Sequence, residues 1–394
     1  MRRVAITGLG AVTPFGAGVK PYWSALEAGA CAIRPVTLFD TEGFRCRLAA
    51  EVPDVLFGSV RRTRADRLAL AAAAEALDDA RLERAERAAA AVVVGAVGGG
   101  MLEAEGWYWQ RAGGALPVAN RRALAGILPG SHAEVLANRL GLYGPRETLV
   151  TACSSGAAAV AIASDIVTEG VTDIALAGGA DALTRICYLG FNALKLLDPD
   201  PCRPFDRDRR GMSIGEGAGF IVLEEAARAR ARGARIYAEL LGYGMTTDAY
   251  HVTSPHPDGE GMARAMRGAL EQSGLVAEDI GYANAHGTAT PQNDRVETHA
   301  LRGVFGAHGL LVSSTKSMIG HTMAAAGSLE AMATVLALVH DTIPPTIHLE
   351  APDPEVAFDC VPNRARHAVI EHAISNSFGF GGQNVTLVLR RAPA

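Results

Sequence analysis

One recurring unit constrains the fold of this chain more than any other feature. A short apolar run stops at a single polar residue, and small residues then lead into a helix-forming segment. The unit is clearest over residues 148–169. There Thr148-Leu149-Val150 runs through Thr151-Ala152 to Cys153, and Ser154-Ser155-Gly156 opens an alanine-rich stretch that reaches Glu169. Apolar β-branched residues favour strand and alanine favours helix, so the unit reads as strand, tight turn, helix. In the second half the strand run 280–285 leads to His286-Gly287-Thr288 and a helix over about 294–305. The run 310–314 leads through Thr315-Lys316-Ser317-Met318-Ile319-Gly320 to His321 and a helix over 322–340. A last run, 373–377, precedes Phe378-Gly379-Phe380-Gly381-Gly382-Gln383-Asn384 and a closing strand over 385–389.

The first half carries comparable strand runs at 4–7, 90–95 and 173–177, with helical patterns over 21–29 and from 61 to about 82. From residue 235 the order of elements resembles that first half. Strands alternating with helices in two similar halves predict an α/β protein built by duplication, with halves at 1–234 and 235–394. A chain of 394 residues that is 49% hydrophobic buries a large core. Its net charge of −5, with no long charge run, argues against a nucleic-acid partner. Cys31, Cys46, Cys153, Cys187, Cys202 and Cys360 are scattered without CxxC spacing. That pattern implies neither a disulfide framework nor a zinc site, and it points to a reducing compartment. The opening residues run straight into a strand pattern, and apolar stretches such as 323–340 are broken by Gly, Ser and Glu. The expectation is a cytoplasmic protein with no signal peptide, membrane span or membrane partner.

A thiol at a helix N-terminus faces free N–H groups and the positive end of the helix dipole, and both stabilise a thiolate. The same N–H groups can receive a developing oxyanion. Cys153 is therefore a candidate nucleophile, against the alternative of a buried structural cysteine. His286 and His321 occupy the same kind of place, the end of a buried strand, where open α/β sheets gather their sites. A thiolate with two imidazoles suits thioester chemistry: Cys153 holds an acyl group, and the imidazoles donate hydrogen bonds to an enolate formed by loss of CO₂ from a malonyl thioester. Two other fragments carry no such chemistry. Gly8-Leu9-Gly10 has Thr13 where a dinucleotide loop needs its third glycine, and it reads as a turn after a strand. Gly211-Met212-Ser213-Ile214-Gly215 has the spacing of a serine-hydrolase elbow, but a charged loop precedes it in place of an apolar strand. Trp107-Tyr108-Trp109 reads as core or interface.

Four segments carry a family resemblance: Thr151-Ala152-Cys153-Ser154-Ser155-Gly156, Asn284-Ala285-His286-Gly287-Thr288-Ala289-Thr290, Ser314-Thr315-Lys316-Ser317-Met318-Ile319-Gly320-His321, and Asn376-Ser377-Phe378-Gly379-Phe380-Gly381-Gly382. In order and spacing they are similar to those of elongating β-ketoacyl-acyl-carrier-protein synthases of the thiolase superfamily, and the resemblance covers nearly the whole chain. It implies a thiolase-type fold, a five-layer α-β-α-β-α arrangement of the two halves. It also implies a decarboxylative Claisen condensation of an acyl thioester, held on Cys153, with malonyl-acyl-carrier-protein. Cys153 matches the acylated nucleophile, and the backbone N–H groups of Cys153 and Phe380 match an oxyanion hole. His286 and His321 match the pair that assists decarboxylation. Lys316 matches a residue that pairs with Glu330 and organises the histidines, and Asp294 and Glu297 match an acidic pair that braces the site. Phe380 looks like a gate between acylation and condensation. Asn284, Glu330 and Ser375 match positions that can hold a structural monovalent cation in relatives. No organic cofactor is implied.

The expected partners are acyl- and malonyl-loaded carrier protein, and either a second copy or a chain-length partner subunit. Carrier proteins are acidic, so Arg61, Arg62 and Arg64, with Arg207, Arg209 and Arg210, form the expected docking surface. A non-catalytic chain-length subunit would lack the nucleophile, which Cys153 argues against. Acyl transfer without condensation would not need both histidines. Cys-His-Asn enzymes of the initiating and chalcone type lack the second histidine, and ordinary thiolases use a second cysteine that has no match here. Met212-Ser213-Ile214 stands where fatty-acid enzymes carry a bulkier Phe-Val pair, and Gln383 stands where Thr is usual. Gln292-Asn293-Asp294 resembles type II polyketide ketosynthases. These departures favour a polyketide or polyene pathway over primary fatty-acid synthesis.

Overall fold

The computed structural model describes residues 2–53, 62–113, 124–128, 130–306 and 309–392. Ten strands carry the architecture. In the first half, β1 (Val4–Thr13), β2 (Ala91–Gly95), β3 (Arg146–Leu149), β4 (Ile174–Asp181) and β5 (Gly217–Glu225) lie in the order β3-β2-β4-β5-β1. β2 is parallel to β3 and β4, whereas β4–β5 and β5–β1 are antiparallel. In the second half, β6 (Ala238–Thr247), β7 (Ile280–Asn284), β8 (Leu311–Ser313), β9 (His372–Gly379) and β10 (Gln383–Arg391) repeat that order as β8-β7-β9-β10-β6. The directions repeat too. The two sheets are not separate: β1 pairs with β6 through Val4↔Leu240, Ala5↔Glu239 and Ile6↔Ala238, which joins them along one edge.

Helices complete the layers. α1 (Arg64–Asp79) covers the outer face of β1 and β5, and α3 (Glu260–Ser273) covers β6 and β10. α4 (Pro291–Phe305) packs beside α3. Between the sheets lie α2 (Ser155–Thr168) and α5 (Ala326–His340), packed against each other. Every residue from Ala326 to Leu338 is buried, so this helix has no solvent face. The run Met323–His340 is long and apolar enough to cross a membrane, but 83% of it is buried among the sheets and α2, which is where its hydrophobicity is used. Each fully buried Leu, Ile or Val in this layer contributes about 1.5–3 kcal/mol.

Small residues set the spacing between layers. Gly8-Leu9-Gly10 is not a turn, because β1 runs through it to Thr13. A Cβ on Gly8 would stand 2.2 Å from the Ala76 carbonyl oxygen, and one on Gly10 would stand 2.0 Å from that of Ala72. These glycines let α1 lie directly on the strand, a tertiary demand that local turn chemistry imitates. Asp79 and Glu75 of α1 then accept the N–H groups of Leu9 and Ala11 at 2.9 and 2.8 Å.

Candidate active site

The chain leaves β3 at Leu149 and turns through one 3₁₀ turn, Ala152–Ser154, before α2 begins. Ser155 Oγ accepts the Thr151 N–H at 2.9 Å and donates to the Ala152 carbonyl at 2.7 Å. Ser154 Oγ donates to the Thr151 carbonyl at 2.7 Å. These bonds hold Ala152 at φ +51°, a left-handed conformation uncommon for a residue with a Cβ. The strained turn aims Cys153 into the pocket with only 6% of its surface exposed. The resting group is a thiol, contrary to the thiolate expected from the helix N-terminus. Burial pushes its pKa up to about 11, against the opposing pull of the Lys316 charge and the N–H groups of Phe380 and Cys153. Those two N–H groups converge on the sulfur.

His286 follows β7 directly, and His321 ends the short helix Lys316–Ile319 and its Gly320 turn. Their rings are 5.4 Å apart and nearly perpendicular, at 86°. His286 Nδ1 faces Lys316 Nζ at 3.2 Å. An ammonium only donates, so Nδ1 accepts and Nε2 carries the hydrogen. His321 Nδ1 accepts the Met323 N–H at 3.2 Å, which leaves its hydrogen on Nε2 as well. His321 Nε2 is buried and has no protein partner. Burial, reinforced by the Lys316 charge, holds both imidazoles well below the usual histidine range, so both are neutral near pH 7. The site thus presents two neutral N–H donors beside a thiol.

The buried support is charged. Lys316 forms an ion pair with Glu330, each side chain only 2% exposed. Burial raises Glu330 to about 7, and the adjacent ammonium limits the rise. Glu297 accepts the backbone N–H groups of His286 and Gly287, both at 2.8 Å, and so fixes the turn after β7. Burial raises Glu297 to about 7. Asp294 accepts the N–H groups of Phe205 at 2.9 Å and Ala289 at 3.1 Å. Asn284 and Ser375 are register partners on β7 and β9. Asn284 Oδ1, Ser375 Oγ and Glu330 Oε2 are all buried without hydrogen-bond partners, a donor set of hard oxygens that fits a monovalent cation.

Phe380 follows β9 and lines the pocket, its ring 5.8 Å from that of Phe191. Gly381 and Gly382 hold φ of +79° and +72°, so the segment after Phe380 is built from residues that adopt this backbone freely. Met212 and Phe191 lie in one apolar cluster with Tyr188, Leu197 and Met323, and Phe380 packs against it.

The expected docking arginines are not equivalent. Arg61 lies outside the described residues, and Arg62 is half-buried. Arg64 is not on the surface: it is 2% exposed, and its guanidinium forks onto Glu216 at 2.6 and 2.8 Å. Glu216 also accepts the N–H groups of Val52 and Leu183, so a buried carboxylate claims this arginine. The Arg209 side chain is only 7% exposed and binds Asp353 at 2.6 Å, with Asp294 beyond it. Arg207 and Arg210 remain exposed, beside Asp208 and beside Asp198 and Asp200.

Three positioning groups were not legible in the sequence as parts of the site. Asp181, at the end of β4, accepts the N–H groups of Gly98, Gly99 and Ala324, and so ties the segment after His321 to the first half. Ser213 is buried: its Oγ accepts the Cys202 N–H and its carbonyl accepts the His321 N–H at 2.7 Å. The GxSxG spacing therefore marks a strand that seats a histidine. Glu216 is the third.

Residues 1–229 match the N-terminal domain model of β-ketoacyl synthases, and residues 237–350 match the C-terminal domain model. The chain is 42% identical to 3-oxoacyl-acyl-carrier-protein synthase 2 of Synechocystis sp., across 99% of this chain and 98% of the relative. Identity to the enzyme of the same name from Coxiella burnetii is 40%, with 99% of each covered. Among solved structures, the ishigamide ketosynthase/chain length factor superposes with a TM-score of 0.94 at 40% identity over the full length of both chains. A type II polyketide ketosynthase in complex with its acyl-carrier protein superposes with a TM-score of 0.92 at 31% identity, covering 99% of this chain and 100% of that one. With the repeated sheet order and a thiol flanked by two neutral imidazoles already in place, these matches show that the chain belongs to the β-ketoacyl synthase family.

Proposed function

We propose that this chain extends an acyl thioester by two carbons, using malonyl-acyl-carrier-protein as donor and Cys153 as acyl carrier. The observation that carries the reading is the pair of neutral Nε2–H donors on His286 and His321, which open onto the same pocket as the thiol. In the first half-reaction Cys153 displaces the carrier thiol from the incoming acyl thioester. The new C–S bond forms as the old one breaks, and the departing carrier thiolate takes a proton in exchange for the one Cys153 gave up. In the second, the malonyl carboxylate leaves as CO₂ and its bonding electrons form an enolate, whose oxygen accepts hydrogen bonds from the two imidazole N–H groups. The enolate carbon attacks the Cys153 thioester. The resulting oxyanion faces the N–H groups of Cys153 and Phe380, and its collapse breaks the carbon–sulfur bond and releases the 3-oxoacyl carrier; the expelled Cys153 thiolate takes up a proton from solvent to restore the thiol. Decarboxylation supplies the carbanion, so neither imidazole has to act as a strong base.

Lys316 and Glu330 hold the His286 tautomer, Asp294 and Glu297 brace the turn after β7, and Phe380 gates the pocket. Asn284, Ser375 and Glu330 would hold a monovalent cation that neutralises this buried oxygen cluster. Carrier protein docks near Arg62, Arg207 and Arg210. The exposed apolar side chains Tyr108, Trp109, Leu128, Val150 and Ile186 mark the face that meets a second copy or a chain-length partner. That face adjoins β3, which pairs only with β2 among the described residues. The likeness to a ketosynthase paired with a chain length factor and to a type II polyketide ketosynthase supports a polyketide-type pathway, and the free state of all six cysteines supports a cytoplasmic location. The two halves divide at 234/235. Intact-mass analysis with malonyl- and acyl-loaded carrier proteins tests the reading: a two-carbon extension with CO₂ release is expected, and acyl exchange without extension would refute it.

A further inference from the structure

The turn that follows His321 is anchored from outside the pocket. After His321 the chain makes the 3₁₀ turn Met323–Ala325 and enters α5. Met323 holds φ of +54°, a backbone conformation uncommon for residues with a side chain, and there its N–H donates to His321 Nδ1 at 3.2 Å. The tautomer and direction of His321 therefore depend on where this turn sits. The next residue, Ala324, is fixed at both of its backbone polar groups. Its N–H donates to Asp181 Oδ2 at 2.9 Å. Its carbonyl oxygen lies in a notch where a Cβ on Gly179 would stand 2.2 Å away and one on Gly156 2.5 Å away. Gly179 belongs to β4, and Gly156 lies in the first turn of α2, just after Cys153. The turn that aims His321 thus rests on the helix that begins at the nucleophile.

Asp181 is itself held firmly. It is buried at the end of β4, and its Oδ1 accepts the N–H groups of Gly98 at 2.7 Å and Gly99 at 3.2 Å. One carboxylate therefore joins two segments far apart in sequence. The Gly98-Gly99 segment follows β2, which runs beside the strand that leads to Cys153, and the Ala96 N–H donates to the Leu149 carbonyl at 3.1 Å. Gly99 is backed in turn by His132, which is fully buried: a Cβ on Gly99 would stand 3.2 Å from His132 Nε2, and His132 Nδ1 shares a hydrogen bond of 2.7 Å with Asp66 of α1. The cysteine turn keeps bonds of its own, through Ser154 and Ser155 to Thr151. The histidine turn takes its outside anchor from Asp181.

We propose that Asp181 is a positioning residue for malonyl decarboxylation: by holding the Ala324 N–H it sets the His321 donor relative to the Cys153 thiol. The inference rests on the assignment of His321 to the enolate. Asp181 does not line the pocket and acts only through the turn. A carboxylate suits the task because both of its oxygens accept, whereas an asparagine has one acceptor oxygen and would turn its amide hydrogens toward an N–H. Preorganised donors are sensitive to such shifts, because a misplacement of about 1 Å costs up to about a hundredfold in rate.

The test is a double-mutant cycle on the full-length protein with Asp181→Asn, His321→Ala and the pair together, read by malonyl decarboxylation and by acyl loading of Cys153. Asp181→Asn is expected to slow decarboxylation about tenfold and to leave loading within about threefold of the parent. In the His321→Ala background the same change is expected to cost less than about twofold, since the group it positions is gone. An equal loss in the two backgrounds, or a parallel loss of loading, would overturn the proposal and mark Asp181 as a purely structural residue. A His321→Ala variant that decarboxylates like the parent would instead remove the reading of His321 on which the proposal stands. A measurement on the unaltered protein guards against misfolding of the variant. The Ala324 amide hydrogen should exchange more than about a hundredfold below its intrinsic rate, and weaker protection would equally overturn the anchoring.

Discussion

Replacing His321 with alanine separates the two half-reactions. The side chain offers one buried, unpartnered Nε2–H to the pocket, while its Nδ1 accepts the Met323 N–H. Loss of one preorganised donor to a developing oxyanion costs about 2.7–4 kcal/mol, or 10²–10³-fold in rate. Malonyl decarboxylation should therefore fall by about that factor. Acyl loading should not. Loading draws on the Cys153 thiol and on the N–H groups of Cys153 and Phe380, whereas the free His321 Nε2–H is assigned to the enolate. Loading should stay within about threefold of the parent rate, since surrounding packing changes only locally. The stranded Met323 N–H lowers stability by about 1–3 kcal/mol, so assays belong well below the thermal midpoint. Decarboxylation is followed by conversion of malonyl to acetyl carrier protein, and loading by the mass of the acyl-enzyme. Equal loss of both rates would refute the assignment of His321 to the enolate. So would a decarboxylation loss below about threefold.

Cys153→Ala should abolish the acyl-enzyme, and a variant still acylated at another residue would remove Cys153 from its role. Because burial pushes the Cys153 thiol to about 11, its alkylation by iodoacetamide should rise about tenfold per pH unit from 7 to 9; a plateau in that range would show a resting thiolate. Both imidazoles are held neutral, and only acid well below the ordinary histidine range protonates them, so the ring ¹⁵N NMR signals of His286 and His321 should show no protonation step between about pH 6.5 and 8, even where Glu330 and Glu297 change charge near 7; an imidazole titration centred near 6.5 would contradict the donor geometry. Arg64→Met strands the Glu216 carboxylate in the core and should cost about 3–5 kcal/mol in urea denaturation, whereas Arg62→Glu should leave stability unchanged and raise the KM for carrier-bound acyl groups. Exchanging potassium for choline should lower the thermal midpoint by about 2 °C or more if the Asn284–Ser375–Glu330 cluster holds a cation, and identical midpoints would leave those oxygens without that ligand.

Much of this protein is local and was therefore legible. The strand-to-helix units, the two halves and the residues at their strand ends follow from periodicity and from the small residues after each polar stop. The motif cysteine, histidines, lysine and Phe380 all meet at one pocket or stand directly behind it. Burial decided the rest, because it is a property of the whole packed chain. The helix N-terminus at Cys153 suggested a thiolate, but desolvation outweighs the nearby N–H groups and the Lys316 charge. A run of arginines at 61–67 looked like one basic face, yet Glu216, more than 150 residues away, draws Arg64 into the core. Gly8 and Gly10 imitated a turn because a helix packed face-on against a strand needs the same missing Cβ. Sequence alone determined which groups are available and at which strand ends they stand. Tertiary structure decided their protonation, their tautomers and which of them reach solvent, because these depend on neighbours that the chain brings together only when it closes.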